Sequence, residues 1–559
     1  MNMRVLLLAA LIWTAARAQE VSQSGLEIQA ERPMVSQPER SRNAMIASVH
    51  ELASQAGLEV LQNGGNAVDA AVAVAFALAV VHPEAGNLGG GGYMVVRMSD
   101  GRSMAFDYRE TAPATAKPGM YKNPIESRVG YKASAVPGTV AGFALAHKTY
   151  GTLPWKAVLE PARRLAAKGF PASWRLELIL RLQVPVMKRF PETAKIFLHG
   201  SDQPLKQGEI VKQPDLAATI KRLQKSSRDF YEGETARLIA AAMTANGGTI
   251  TLDDLRNYEA KPIPPIQGAY RDYKVLTAPP SSSGGTTLLS MLNILETFPM
   301  TVGGEGSAAS RHLMAEAMRR AYRDRSEHSA DPAFFPVPVE KLTSKEYGRE
   351  LASTISLTHA TPFPPETVAG VGNESHDTTH FSIVDKSGNI VSNTYTLNGF
   401  FGSQVMPKGT GVLLNDIMSG FAEGKGGRNQ IGPGKRPVSS MTPTILLRPD
   451  STPWIALGSP GSSTIPNTVM QVIVNLIDYK MSLRDAIEFP RIHHQNNPDR
   501  IDAEPAALIV DVGEKIRSLG HTVNPKLRSQ GDVHAVGIAD DGWRIGWSDG
   551  RRGGRAIGY

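Results

Sequence analysis

The stretch from Asn373 to Asn398, NESHDTTHFSIVDKSGNIVSNTYTLN, gathers hydroxyl and imidazole groups on what reads as two short strands. A threonine hydroxyl is a weak nucleophile unless a base adjoins it, and a free α-amino group on the same residue is such a base. That amine has an unperturbed pKa of about 7.7–8.0, so part of it can accept a proton near neutrality. Thr378 would gain one only if the Asp377–Thr378 bond broke, and its own hydroxyl could begin that cleavage by attacking the preceding carbonyl. The spacing bears on this directly. Asp385 to Asn389 (DKSGN) reads as a turn with Gly388 free to take a positive φ, flanked by strands over His380 to Val384 and Ile390 to Tyr395. A hairpin centred on Ser387 sets Val384 against Ile390, Ser382 against Ser392 and Thr378 against Thr396. Directly opposed Cβ atoms lie about 4.5–5.5 Å apart, close enough for two hydroxyls to bond. Thr379 points to the other face and cannot meet Thr396. On these residues alone, an ordinary cross-strand Thr–Thr pair is the plainer reading, with the nucleophile as its alternative.

Other chemistries fare worse. His376 and His380 stand four apart and His493–His494 add two imidazoles, but the second residue of the first pair falls on a strand, where i, i+4 spacing does not converge. H-E-x-x-H is absent, so neither a metal nor another cofactor is expected. The Ser/Gly-rich runs GSPGSS (Gly458 to Ser463) and SSSGGTT (Ser281 to Thr287) do not form the G-x-S-x-G elbow of a serine hydrolase. Gly89 to Gly92 lack a following G-K-[ST], which makes close packing a better account than phosphate binding. The sequence has no cysteine, which removes thiol nucleophiles and disulfides together.

The elements that must position Thr378 follow from periodicity. Asn43 to Gln62 reads as one helix ended by Gly64–Gly65, and Asn66 to Glu84 as an Ala/Val-rich buried helix broken at Pro83. Tyr93 to Met98 and Ser103 to Tyr108 read as strands around the turn Asp100–Gly101. Thr139 to Leu255 looks mainly helical, and a Pro-rich joint then leads into a strand. A helical region near Ala308 to Ala330 precedes a loose, Pro-rich stretch from Asp331 to Asn373, directly ahead of the threonines. Beyond the hairpin come a strand at LLND, two strands around RPDSTP, and helices at IPNTVMQVIVNLIDY and SLRDAIEF. Strands with helices outside them imply a layered α/β arrangement and no repeat array.

At 559 residues with 41% hydrophobic and 20% charged content, the chain has the composition of a globular protein with a large core. Its formal charge of +7 is dispersed, without a basic run interleaved with aromatics, so nucleic acid is not an expected partner. The first residues, MNMRVLLLAALIWTAARAQE, combine Arg4, an apolar run too short to span a bilayer, and Ala16–Arg17–Ala18. They read as a signal peptide over 1–18 cut before Gln19, hence a periplasmic or secreted protein with no transmembrane segment.

TTHFSIVDKSGN…TYTLN resembles the start of the small subunit of the gamma-glutamyltranspeptidases (glutathione hydrolases), which are N-terminal nucleophile hydrolases. GLEVLQNGGNAVDAAVA, NLGGGGYMVV, DYRETAPA, APPSSSGGTT, KRPVSSMTPT, GSPGSS and PRIHHQ extend the likeness over nearly the whole chain, in family order. The resemblance implies an α+β fold, a four-layer αββα sandwich built jointly by two subunits, 19–377 and 378–559, which form a heterodimer after self-cleavage between Asp377 and Thr378. It implies that Thr378 is the nucleophile, Thr396 its hydroxyl partner, Asn398 a substrate contact, and Arg109 with Ser439 and Ser440 the holders of a substrate α-carboxylate. Gly461 and Ser462 match a Gly-Gly pair whose backbone N–H groups form the oxyanion hole, Ser462 keeping the N–H. The implied activity is γ-glutamyl hydrolysis and transfer, with glutathione as donor and water, an amino acid or a peptide as acceptor. Two departures stand out. Ile417 and Gly420 occupy positions where the family has Glu or Gln and then Asp for the α-amino group, with Asp416 and Ser419 as neighbours that can compensate. Phe421 to Pro437 is shorter and more Gly-rich than the lid of many members, which implies an open mouth. Losing the amino-binding carboxylate leaves a glutaryl-type acylase as the enzymatic alternative, and a non-catalytic secreted relative as the other.

Overall fold

The hairpin forms with the register read from the turn. In the computed structural model, which describes residues 37–200, 202–362, 377–422, 427–525 and 529–559, strand Asp377–Val384 pairs antiparallel with Ile390–Asn398. Val384 faces Ile390, Ser382 faces Ser392 and Thr378 faces Thr396. One carboxylate organises the turn: Asp385 accepts from the Ser387 and Asn389 amides at 2.9 and 3.0 Å and from Asn389 Nδ2 at 2.7 Å. Gly388 supplies the left-handed backbone, φ 87°. Asp385 Oδ2, which takes the Asn389 side chain, also accepts from the Ala67 amide at 2.9 Å, tying the turn to the first turn of helix Ala67–Val81. That helix starts in a capping box between Asn66 and Asp69, and all its residues are buried. Its apolar circumference is accounted for by burial between layers, as the sequence implied.

The hairpin lies mid-sheet. In strand order the sheet is Arg555–Gly558, Met45–Ser48, Asp377–Val384, Ile390–Asn398, Gly91–Arg97, Ser103–Asp107 and Lys261–Ile263. A second seven-stranded sheet runs Glu39–Ser41, Arg544–Ser548, His534–Ile538, Pro453–Leu457, Thr444–Leu447, Tyr273–Thr277 and Ile266–Tyr270. Val384, Ile390, Met45 and Val95 of the first pack against Leu276, Ile445, Ala456 and Val536 of the second. Phe381, Ile383, Val391 and Tyr395 point the other way, into the core shared with helices Glu51–Gln62 and Ala67–Val81. Helices Gly284–Leu295, Ala308–His328 and Ile465–Ile477 cover the far side of the second sheet. The layers therefore run αββα, and residues on both sides of the Asp377–Thr378 bond contribute to each sheet.

Strand alternation fixes the chemistry of the space between the sheets. Even-numbered residues of the two hairpin strands face the second sheet: Ser382 Oγ donates to the His534 carbonyl and Ser392 Oγ to the Leu457 carbonyl, at 2.8 and 2.9 Å. Thr378 shares this face and Thr379 does not. Thr379 Oγ1 is buried without a hydrogen-bond partner.

Three sequence expectations are corrected. Met45–Ser48 is a strand between Asp377–Val384 and Arg555–Gly558, so the helix begins only at Glu51; pairing on both edges outweighs helical periodicity. The stretch after Asp331 is not wholly loose, since Val339–Thr343 and Lys345–Ser353 are helices. LLND is no strand; Leu414 makes a single bridge to Gly89. The signal-peptide reading over 1–18 and the last residues before Asp377 lie outside the described residues.

Candidate active site

The Thr396 hydroxyl sits at the centre of a saturated set of hydrogen bonds. It accepts from the Asn398 amide at 2.7 Å and from Thr378 Oγ1 at 3.3 Å, and donates to the Asp377 carbonyl oxygen at 2.9 Å. With one hydrogen and two acceptor sites, its capacity is fully used. The register shifts between Asp377 and Thr378: Asp377 faces Asn398, and Leu397 is the extra residue. The bulge therefore lies on the Thr396 strand, directly across from the Asp377–Thr378 bond. Close approach also requires the glycines of the neighbouring strand. A Cβ on Gly90 would lie 2.0 Å from the Thr396 carbonyl oxygen, and one on Gly91 2.7 Å from Glu110 Oε2. Packing, not phosphate binding, accounts for that glycine run.

Arg109 is buried beside Glu110, Nη1 to Oε2 3.3 Å, and its Nε and Nη2 donate to the Pro437 and Val438 carbonyls at 3.2 and 3.4 Å. It thereby adjoins the Ser439–Ser440 segment. Burial pushes the Glu110 carboxyl up, against the pull of Arg109. Asn398 Nδ2 reaches Asp416 Oδ2 at 3.2 Å and Ser419 Oγ at 3.0 Å, so the two neighbours of the departed amino-binding positions both touch it. Ile417 itself packs with Ala112, Ala116, Ala135, Met418 and Phe421. Gly420 has room for a side chain: a Cβ there would meet Pro437 at 3.5 Å and Ile417 at 3.6 Å, ordinary contacts. Asn429 joins this loop to the serines, donating to the Gly420 carbonyl and accepting from the Val438 amide. Part of the short lid, residues 423–426, lies outside the described residues.

Gly461 and Ser462 both take positive φ, 133° and 57°. For Ser462 this left-handed conformation costs roughly 1–2 kcal/mol, which glycine would avoid. The segment lies against Gly531, next to Asp532. The Arg552 amide donates to Asp532 Oδ1 at 3.2 Å, while Arg552 Nη1 donates to the Thr378 carbonyl at 3.4 Å. Arg552, Asp416 and Ser419 contact site residues directly. Arg552 carried no sequence signal, because nothing in a lone Arg near the C-terminus points to a contact 174 residues away.

Among the described residues, His380, His493 and His494 each bond separate partners. His380 bonds Thr394 Oγ1 and Ser382 Oγ through its two nitrogens, His493 bonds Asn467 and Gln495, and His494 bonds Asp499; His376 lies outside the described residues. Burial pulls the His380 imidazole well below its usual range, so it is neutral. Elsewhere, the ligand atoms of His312, Glu316 and His521 lie within 4.8 Å of one another. Arg319 and Arg320 already pair with that Glu316, however, and their charge opposes a cation.

A buried pair of threonine hydroxyls, Thr396 bonded to the Asp377 carbonyl and Thr378 bonded to Thr396, thus stands inside an αββα sandwich. The gamma-glutamyltranspeptidase family model matches residues 53–559. The chain belongs to that family. The glutathione hydrolase proenzyme of Escherichia coli is 42% identical over 92% of this chain and 91% of its own. An acylase ACY 1 proenzyme from a Pseudomonas strain is 38% identical over 91% and 92%. Among solved structures, a cephalosporin acylase from Bacillus halodurans superposes with a TM-score of 0.86 at 27% identity, over 95% of this chain and 98% of that one. Among the described residues of this gamma-glutamyltranspeptidase relative, no helix is long and apolar enough to cross a membrane.

Asp416 yields a pH prediction. Burial, with Asp377 adding to it, raises its carboxyl to about 7 despite hydrogen bonds from the Gly399 amide and Asn398. An unfolded Asp titrates near 3.9, so between about pH 4 and 7 the folded chain holds the extra proton and its stability falls as pH rises. The slope reaches at most about 1.4 kcal/mol per pH unit. In an uncleavable Thr378→Ala background, adding Asp416→Asn should flatten this slope in urea unfolding across that window. An unchanged slope would contradict the assignment.

Proposed function

We propose that this chain matures by cleaving itself between Asp377 and Thr378 and then acts, through Thr378, as a γ-glutamyl hydrolase and transferase. The contact that supports the reading best is the Thr396 hydroxyl, bonded at once to the Asp377 carbonyl oxygen and to Thr378 Oγ1. In cleavage, Thr378 Oγ1 attacks the Asp377 carbonyl carbon and the growing oxyanion stays bonded to Thr396 Oγ1. The C–N bond breaks, the hydroxyl proton passes to the departing nitrogen, and an ester joins Asp377 to Thr378 Oγ1. Water then hydrolyses the ester, leaving the Asp377 carboxylate, a free hydroxyl and a free α-amine. That amine is the base for turnover. It takes the hydroxyl proton as Oγ1 attacks the donor's γ-carbonyl, and the leaving amine carries a proton away; water or an acceptor amine releases the acyl group.

Substrate holding is assigned in the same reading. Arg109, with Ser439 and Ser440, takes the α-carboxylate, a guanidinium being suited to bidentate carboxylate binding. Asn398 contacts the donor, and the Gly461 and Ser462 amides take the oxyanion. Glutathione, whose γ-glutamyl amide has both α groups, is the proposed donor. Export in the periplasmic or secreted sense remains part of the proposal, resting on the leader read over 1–18.

Two outcomes test this account. Purified protein should run as two fragments, the smaller beginning Thr-Thr-His by N-terminal sequencing, and Thr378→Ala should stay one chain. A different new terminus would refute the assignment of the nucleophile.

A glutaryl-acylase reading is favoured by one observation, the apolar packing of Ile417 with Gly420 beside it. Asp416 and Ser419, both bonded to Asn398, are then the groups proposed to meet an ammonium. Discrimination between a γ-glutamyl anilide and its glutaryl analogue should therefore be weak, within about tenfold in kcat/KM. Gly420→Asp alone should restore preference for the amine-bearing donor, since the site has room for it. A preference of about a thousandfold in the unmodified protein would contradict this.

A further inference from the structure

Ser439 and Ser440 reach a carboxylate usefully only if their hydroxyl hydrogens point at it. A serine hydroxyl rotates freely and accepts as readily as it donates, so direction must come from the surroundings. Here both oxygens accept from fixed donors. The Met441 amide donates to Ser439 Oγ at 3.1 Å, and Arg325 Nη2 donates to Ser440 Oγ at 2.7 Å. The same guanidinium donates through Nε to Ser283 Oγ at 2.9 Å, and Ser283 in turn donates to the Ser439 carbonyl through its hydroxyl and its amide, both at 2.7 Å. One arginine thus braces both serines. It comes from the last turn of helix Ala308–His328, stacks over Tyr322 at 5.6 Å, and is 9% exposed, while Ser440 is fully buried.

We propose that Arg325 is a positioning residue for donor selection: by donating to Ser440 Oγ it turns that hydroxyl into a committed hydrogen-bond donor toward the α-carboxylate. The proposal rests on the carboxylate-binding reading of the serine pair. The planar fork is essential, because two of its nitrogens must reach Ser440 and Ser283 at once. The arginine's positive charge adds to that of Arg109 in the same direction. Its effect is on a substrate group remote from the scissile amide, so it should appear in KM and in selectivity, with kcat little changed.

The test compares a γ-glutamyl anilide with the 4-aminobutyryl anilide, which has the same amine and acyl chain but no α-carboxylate. Unmodified protein should prefer the first. Arg325→Met should raise KM for the γ-glutamyl anilide by about tenfold or more and leave kcat/KM for the other donor nearly unchanged. Arg325→Gln, whose amide can still donate to Ser440, should recover part of the preference. Combining Arg325→Met with Ser440→Ala should cost little more than Ser440→Ala alone, because the two act as one unit. Absence of any preference in the unmodified protein overturns the carboxylate reading and this proposal with it. A preference that survives Arg325→Met overturns the proposal alone, as does an equal loss on both donors, which marks a merely structural arginine. If Arg325→Met does not mature, the Gln variant and its combination with Ser440→Ala carry the same comparison.

Discussion

The site depends on the register of one β-hairpin. A slip of a single residue would turn Thr378 toward the helices and present Thr379 to the second sheet. Three features hold the register. Asp385 gathers the amides of the turn and anchors it to a buried helix. Val384 and Ile390 lock one face between the sheets, and Phe381, Ile383 and Val391 lock the other into the helical core. Buried hydroxyls at Ser382 and Ser392 then bond across to backbone carbonyls of the second sheet, so a slip would strand them unpaired. Within this rigid background the hairpin's register shift, with Leu397 as the extra residue, lies directly across from the Asp377–Thr378 bond.

Around that fixed hairpin, the residues proposed to hold the substrate come from the strand end at Asn398 and from loops. Arg109, Asn398, the segment from Asp416 to Gly420, and Ser439 with Ser440 belong to four separate stretches of chain, joined by hydrogen bonds through Pro437, Val438 and Asn429. Arg325 and Arg552 enter from outside this ring, one bracing the serines and the other bonding the Thr378 carbonyl.

Much of this was legible in the sequence because strand pairing is local arithmetic. The turn at DKSGN, the pairing of Thr378 with Thr396, the buried helix after Asn66 and the strands around RPDSTP all follow from spacing and residue type. Met45–Ser48 reads as helix in the sequence because its apolar residues continue the periodicity of the next helix; its two neighbouring strands, more than 300 residues distant in sequence, make it a strand. Arg325 and Arg552 were invisible for the same reason, since a guanidinium's partner is set by tertiary contact. Ser462 could be aligned with a glycine, yet its left-handed backbone emerged only in three dimensions.

The account turns on the Thr396 hydroxyl activating the Asp377 carbonyl, and the rate of self-cleavage in freshly refolded precursor measures it most directly. Thr396→Val keeps the side chain's shape and removes its hydroxyl, whereas Thr396→Ser keeps the hydroxyl. Cleavage should slow by about a hundredfold or more in the valine variant, comparable to losing one oxyanion donor, and by far less in the serine variant. A valine variant that cleaves at the rate of the unmodified chain would contradict the account.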